Sequence, residues 1–219
     1  MCTVLAFAFD ACTESEQSTG ANRFVRAEGK HVVTPEGDPL KLRGINLGNW
    51  LLPEGYMFKL EVTTAHWQMQ QVIKELVGPA EARAFWRQYY QTYITREDIR
   101  FIKQTGCNSL RVPFNYKLLT PEDYPEIWLE SGFALLDSVI AWSKQEGLYV
   151  ILDMHAAPGG QTGTNIDDSA GHPWLFESAE SQERAIAIWR KLAKRYRDEP
   201  TVIAYDLLNE PIPHFEGYE

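Results

Sequence analysis

The chain has 219 residues, of which 44% are hydrophobic and 12% aromatic, with a formal net charge of −9. That content suits a globular protein with a sizeable core. The acidic balance, with no cluster of Lys or Arg, argues against a nucleic-acid partner and leaves neutral ligands open, and no apolar run approaches the length of a membrane span.

Residues 1–23 read as a signal-like and linker segment. Val4 to Phe9 is apolar, and Thr13 to Asn22 is polar; an exported protein (extracellular, periplasmic or lipid-anchored) is the expectation. Cys2, Cys12 and Cys107 have no disulfide or metal spacing, and Cys107 reads as a buried small hydrophobe. From residue 24 to 219 the chain reads as one folded unit. Phe24 to Val33 alternates weakly before the turn Pro35 to Pro39. Leu40 to Asn46 is the first main strand, running into Gly48-Asn-Trp50. Helices are predicted over Ala65 to Leu76, Ala80 to Tyr93 and Arg96 to Gln104, the last with Thr95 and Asp98 as a capping pair and Gly106 as its stop. Cys107 to Pro113 is the second strand and Ser131 to Glu146 a helix ended by Gly147. Leu148 to Met154 is the third strand, Ala179 to Tyr196 a long helix broken by Asp198-Glu-Pro200, and Thr201 to Leu208 the fourth strand.

Such alternation, with two strands apolar along nearly their whole length, predicts an α/β protein with a parallel sheet covered on both faces. The sheet can be doubly wound or closed as an eight-stranded barrel, and the absence of a Gly-rich phosphate fingerprint after the first strand disfavours the dinucleotide version. Polar residues cluster at one end of every strand: Asn46 and Asn49 after the first, Arg111 on the second, His155 after the third, Asn209 and Glu210 after the fourth. In a parallel sheet these ends share one face, and on a barrel they surround one pocket. Each has a structural alternative: Asn46 as a turn residue, Arg111 as the partner of a strand carboxylate, His155 as a satisfied core histidine, Asn209 as a loop closer and Glu210 as a solvated loop residue. Asp153 and Asp206 lie inside apolar strands and need a cationic partner, for which Arg43 and Arg111 are the candidates. Glu210 in a partly apolar pocket would have its pKa raised by desolvation and lowered by Arg111, a setting for an acid that protonates a leaving oxygen.

Asn209-Glu-Pro211 at a strand end is the signature of clan A glycoside hydrolases. Leu42-Arg-Gly-Ile-Asn-Leu-Gly-Asn-Trp-Leu51, Asn108-Ser-Leu-Arg-Val-Pro113 and Asp153-Met-His-Ala-Ala-Pro-Gly-Gly-Gln161 resemble glycoside hydrolase family 5, the cellulase and β-glucanase family. The resemblance implies a (β/α)8 TIM barrel and hydrolysis of a β-linked glucan or oligosaccharide by retaining double displacement, with no cofactor and no metal. It makes Glu210 the acid/base and has Asn209 bond the sugar 2-hydroxyl, with Arg111 and His155 orienting carboxylates and sugar. Gly48 to Tyr56 and the loop Gln161 to His172 resemble the exo-β-1,3-glucanase branch, in which the residues matching Glu54, Asp167 and Asp168 grip the terminal glucose. Asn49 and Asp168 stand where that branch usually has glycine and often has asparagine. Asn46 is a further substrate-binding candidate, and Trp50, Tyr56 and Trp174 are sugar-stacking candidates, with core packing the rival for each aromatic.

The family's nucleophile is a glutamate ending the seventh strand, whereas four strand units occupy residues 40–208 here and a full barrel takes about 250 residues. The expectation is a barrel truncated after about the fourth strand, with Glu216 and Glu219 too near Glu210 in sequence to act as nucleophile. It is expected to be inactive alone and to self-associate through an exposed sheet edge. The alternatives are a non-catalytic carbohydrate-binding fragment and a metal-dependent hydrolase using Asp153, His155 and Glu210, the latter without supporting histidine spacing.

Overall fold

Four parallel strands carry the fold, and the computed structural model describes them within residues 23–213. The signal-like segment and the tail bearing Glu216 and Glu219 therefore lie outside the described residues, Arg23 apart. Strands β1 (Arg26–Glu28) and β2 (His31–Val33) form an antiparallel hairpin around Gly29, whose φ of 59° is the left-handed turn conformation that glycine adopts at no steric cost. The main sheet has the order β3-β4-β5-β6, with β3 at Gly44–Asn46, β4 at Ser109–Asn115, β5 at Tyr149–Ala156 and β6 at Val202–Asp206.

Helices α1 (His66–Val77), α2 (Pro79–Thr92) and α3 (Arg96–Gln104) fill the first crossover, α4 (Glu130–Glu146) the second and α5 (Ala179–Tyr196) the third. Thr95 N–H donates to Asp98 Oδ2 at 2.7 Å, which satisfies one orphan donor at the start of α3 as the capping pair predicts. Gly147, at φ 65°, closes α4. The outer face of the sheet meets the helices through Leu110, Val112, Phe114, Val150, Leu152 and Met154, which pack with Phe133, Leu136 and Val139 of α4 and Ile188 and Leu192 of α5. Full burial of one such side chain contributes roughly 1.5–3 kcal/mol, so this face is a main source of stability for the described residues.

The strand boundaries differ from the sequence reading in one consequential way. The second strand starts two residues later than expected and runs to Asn115, so Arg111 sits in its middle and not at its end. Pro113 also lies inside this strand, a position that ordinarily loses a ladder bond. The loss falls where no partner exists. Arg111 C=O accepts from Leu47 N–H at 3.0 Å and Asn115 N–H donates to Leu51 C=O at 3.1 Å, while between them the chain after β3 swings out through Gly48, Asn49 and Trp50. Similarly, only Gly44 to Asn46 of the predicted first strand pairs with β4.

Candidate active site

The inner face of the sheet is polar where the outer face is apolar. Arg111 pairs in register with Asn46 on one side and Ile151 on the other, two residues short of the Pro113–Asp153 pair. Its long side chain covers that distance. Nη1 lies 3.0 Å from Asp153 Oδ2, Nε and Nη2 donate to Asp206 Oδ2 at 3.0 and 2.7 Å, and Nη2 also donates to Asn209 Oδ1 at 2.8 Å. Nη1 makes a longer bond of 3.4 Å to Asn46 Oδ1. One guanidinium thus ties together side chains from β3, β5, β6 and the segment after β6, using the planar, multi-donor geometry that lysine lacks. The strand aspartates find their cation in Arg111. Arg43 does not take that part: its backbone N–H donates to Asn108 Oδ1 at 2.7 Å, and no ion pair from its side chain occurs among the described residues.

Asp153 has no exposed side-chain surface. Burial raises its pKa, opposed by the hydrogen bond and charge of His155 and by Arg111. Asp153 Oδ2 lies 2.6 Å from His155 Nδ1, which assigns the imidazole proton to Nδ1. Nε2 is then an acceptor, and Asn209 Nδ2 approaches it at 3.3 Å. The Asn209 amide is oriented by both ends: its oxygen faces Arg111 and its nitrogen faces His155. An amide nitrogen carries two hydrogens, so one is left to donate to a hydroxyl.

Asn209 is further fixed through its backbone. Its N–H donates to Met154 C=O at 3.3 Å, and its carbonyl accepts from Gln161 Nε2 at 3.0 Å. Gln161 has no exposed surface, and it also donates to His155 C=O at 2.8 Å and accepts from Ala157 N–H at 3.0 Å. Ile212 N–H returns to Gln161 C=O at 2.9 Å. Between these two anchors Glu210 has φ 44°, a left-handed conformation disfavoured for a non-glycine residue and more so before a proline. Such a conformation costs on the order of 1–3 kcal/mol and persists where neighbours over-determine it. Gln161 lies in the motif Asp153 to Gln161, but nothing in its spacing announces that it bridges two strand ends.

Glu210 itself is exposed at the rim, which corrects the expectation of a partly apolar pocket. Its charge acts on Glu54 and Tyr56. Glu54 is 8% exposed, and burial raises its pKa, with His155 opposing and Glu210 reinforcing. The charge of Glu210 therefore reaches Glu54. Asn49, at φ 60°, holds the turn: its Oδ1 accepts from Glu54 N–H at 2.9 Å. Asn46 is exposed on the inner face.

The remaining sugar-site candidates go elsewhere. Trp50 is 1% exposed, and its indole N–H donates to Tyr90 C=O at 2.8 Å, so it is a core residue and offers no stacking face. Asp167, 1% exposed, turns inward: Oδ2 accepts from the N–H groups of Gln161 and Thr162, each at 2.6 Å, and Oδ1 from Ser169 N–H at 3.0 Å. Asp168 accepts from Trp67 N–H at 2.6 Å, Asn115 Nδ2 at 2.8 Å and Lys117 Nζ at 3.0 Å. Asp167 thus braces its own loop and Asp168 ties that loop to the end of β4 and the start of α1, since a buried carboxylate must recruit donors. Trp174 is 52% exposed and stays open to a ligand.

Comparison with known proteins was consistent in direction. The cellulase family, glycosyl hydrolase family 5, matches residues 68–217. A protein named beta-xylosidase from Phanerodontia chrysosporium is 31% identical over 194 residues, 88% of this chain and 40% of its own length. A probable glucan 1,3-beta-glucosidase A from Emericella nidulans is 33% identical over 174 residues, 78% of this chain and 42% of its own length. Among solved structures, rutinosidase from Aspergillus niger superposes with a TM-score of 0.66 at 22% identity, covering 78% of this chain and 49% of that one. The chain thus spans somewhat less than half the length of these relatives, and the structural likeness shows the fold of part of an α/β barrel.

Proposed function

The chain belongs to glycosyl hydrolase family 5, and on that premise we propose that it supplies the acid/base half of a retaining β-glucosidic active site. Glu210 is the acid: it protonates the glycosidic oxygen as the leaving group departs, then returns as base to activate the water that releases the sugar. Asn209 donates its remaining amide hydrogen to a sugar hydroxyl, and Arg111 and His155 hold that amide in place. Glu54, buried and within reach of the charge of Glu210, is the residue we assign to a sugar hydroxyl of a β-linked glucan or glucoside. The single observation that carries the reading is the Arg111 hub, which joins Asp153, Asp206 and Asn209 and so aims the residue next to Glu210 over the strand ends.

Double displacement requires a second carboxylate about 5–5.5 Å from the acid. We assign it to a later strand of the full-length form, so the segment alone is expected not to turn over substrate. In the full-length form, Glu210→Gln should lower hydrolysis of unactivated glucans by about 10²–10⁴-fold while sparing aryl glycosides with good leaving groups in the glycosylation step. Equal loss on both substrates would contradict the acid role. The segment by itself presents β6 as a sheet edge with exposed Ala204 and Leu207, and we expect self-association there. A single monomeric species in sedimentation velocity across a hundredfold range of concentration would refute that expectation. Among the described residues no helix is long and apolar enough to cross a membrane, and export remains part of the same proposal.

A further inference from the structure

A cleft of about 770 Å³ opens between the α1–α2 pair and the start of α4, and it shares no lining residue with the Arg111–Glu210 site. Its chemistry is unlike the rest of the molecule. The chain carries 30 acidic and 21 basic residues, yet this cleft is lined by Lys74, Arg83, Arg87 and Lys117 and by no carboxylate. Arg83 and Arg87 are one turn apart on α2 and so share a face, where like charges repel. Lys117 is held by Asp168 at 3.0 Å. Lys74, Arg83 and Arg87 make no ion pair among the described residues, so three uncompensated cations converge on one opening.

The wall behind them is apolar and aromatic, formed by Leu118, Leu135, Tyr90 and Trp86. Trp86 and Tyr90 are each nine-tenths buried, so the part of each ring that reaches the opening is apolar wall. A lone inorganic ion would use the cations and waste the wall. A neutral ring would use the wall and leave the cations repelling one another.

From this juxtaposition we infer that the cleft is a second ligand site, built for an organic anion that carries a carboxylate or sulfonate on a flat apolar body. The anionic group sits between Arg83, Arg87 and Lys74, and the ring lies against Trp86 and Tyr90. The inference stands independently of the glycosidase reading, because it uses none of the residues of that site.

The test is calorimetric titration of the full chain with 1-naphthoate at low salt. Saturable binding is expected, and Arg83→Gln/Arg87→Gln should weaken it by about tenfold, the effect of losing two half-solvated ion pairs. Both arginines are exposed, and an unchanged far-UV circular dichroism spectrum confirms that the variant folds. Lys30→Gln/Lys41→Gln, which removes the same charge from exposed positions outside the cleft, should leave the affinity within about twofold. Neutral 1-naphthalenemethanol should bind at least about tenfold more weakly than the acid. Four results would overturn the inference: no saturable heat at millimolar naphthoate, undiminished affinity in the arginine variant, equal loss in the lysine variant, or equal affinity for the neutral alcohol.

Discussion

Replacing Arg111 by Met tests the architecture of the site most directly. The side chain keeps most of its apolar stem, so the change removes chiefly the guanidinium. Asp153 then remains buried without its cation and with only His155 beside it. Breaking a buried pair by deleting one partner costs about 3–5 kcal/mol. The second pair adds little, because Asp206 is 37% exposed and pairs of that kind contribute about 0–1 kcal/mol. The lost bond to Asn209 overlaps with these and is not additive, so about 3–5 kcal/mol is the expected total. For a segment of this size that corresponds to a fall in Tm of roughly 6–20 °C. Arg111→Lys restores a charge but cannot reach Asp153, Asp206 and Asn209 together, and should fall in between. The loss also has a pH signature. Asp153 is raised above its ordinary pKa by burial and pulled back by His155 and Arg111, so removing Arg111 raises it further. Its ionised form is the destabilised one; the deficit is therefore largest near pH 7 and shrinks on acidification as Asp153 takes up a proton. Urea unfolding followed by circular dichroism at pH 7 and pH 4.5 measures both. A deficit below about 1 kcal/mol at pH 7, or one that does not change with pH, would show that Arg111 is not the charge that Asp153 depends on.

Two further predictions follow from buried titrating groups at the edges of the site. His66 is buried with Gln70, Tyr90 and Asn115 around its ring, and burial, opposed by Asp168 and reinforced by Lys117, pushes its pKa down to about 4. Its neutral form is favoured in the fold, so its contribution is present above pH 6.5 and is lost as pH falls towards 4, by roughly 3 kcal/mol in all. His66→Gln should flatten the unfolding free energy over that interval, and an unchanged slope would refute the assignment. Glu54 is shifted the other way, raised chiefly by burial. Its contribution is present below pH 4.5 and is lost as pH rises through the raised value. Glu54→Gln should therefore be more stable than the parent at pH 7, the gap closing under acid; a less stable variant at neutral pH would mean that the carboxylate is required for folding and not held for a ligand.

Most of the helices and the four parallel strands could be read from the sequence, because their determinants are local: a capping pair for α3, apolar spacing for α4 and α5, a largely apolar run for β5, glycine stops at Gly106 and Gly147. The edges of β3 and β4 could not, because where the two strands part between Leu47 and Leu51 depends on their pairing with each other and not on local residue type. Single residues divided in the same way. Arg111 was identifiable as a cation with two strand carboxylates to compensate, and charge balance required something of the kind. Trp50 offers an aromatic face with core packing as its rival, and Asp167 and Asp168 match sugar-gripping residues, yet all three side chains turn inward: an indole N–H finds a carbonyl, and two carboxylates find backbone donors. A residue type states what a side chain can bond, whereas its direction depends on which donors the folded loop leaves unpaired.

The same logic explains why Asn209 is the most constrained member of the rim while Glu210 is among the least enclosed. Every polar atom of Asn209 except one amide hydrogen is engaged in a bond the structure supplies, through Arg111, His155, Gln161 and Met154. That leaves a single direction in which it can recognise anything. Glu210 follows it in the chain with a left-handed backbone fixed on both sides, so its exposed carboxyl moves only by side-chain rotation. In the proposed role one carboxyl gives a proton to a leaving oxygen and then takes one from a water that enters at the same place, which suits a fixed backbone with an exposed tip. An alternative in which Glu210 were buried and bonded like Asp153 would place the charge more firmly and lose the reach.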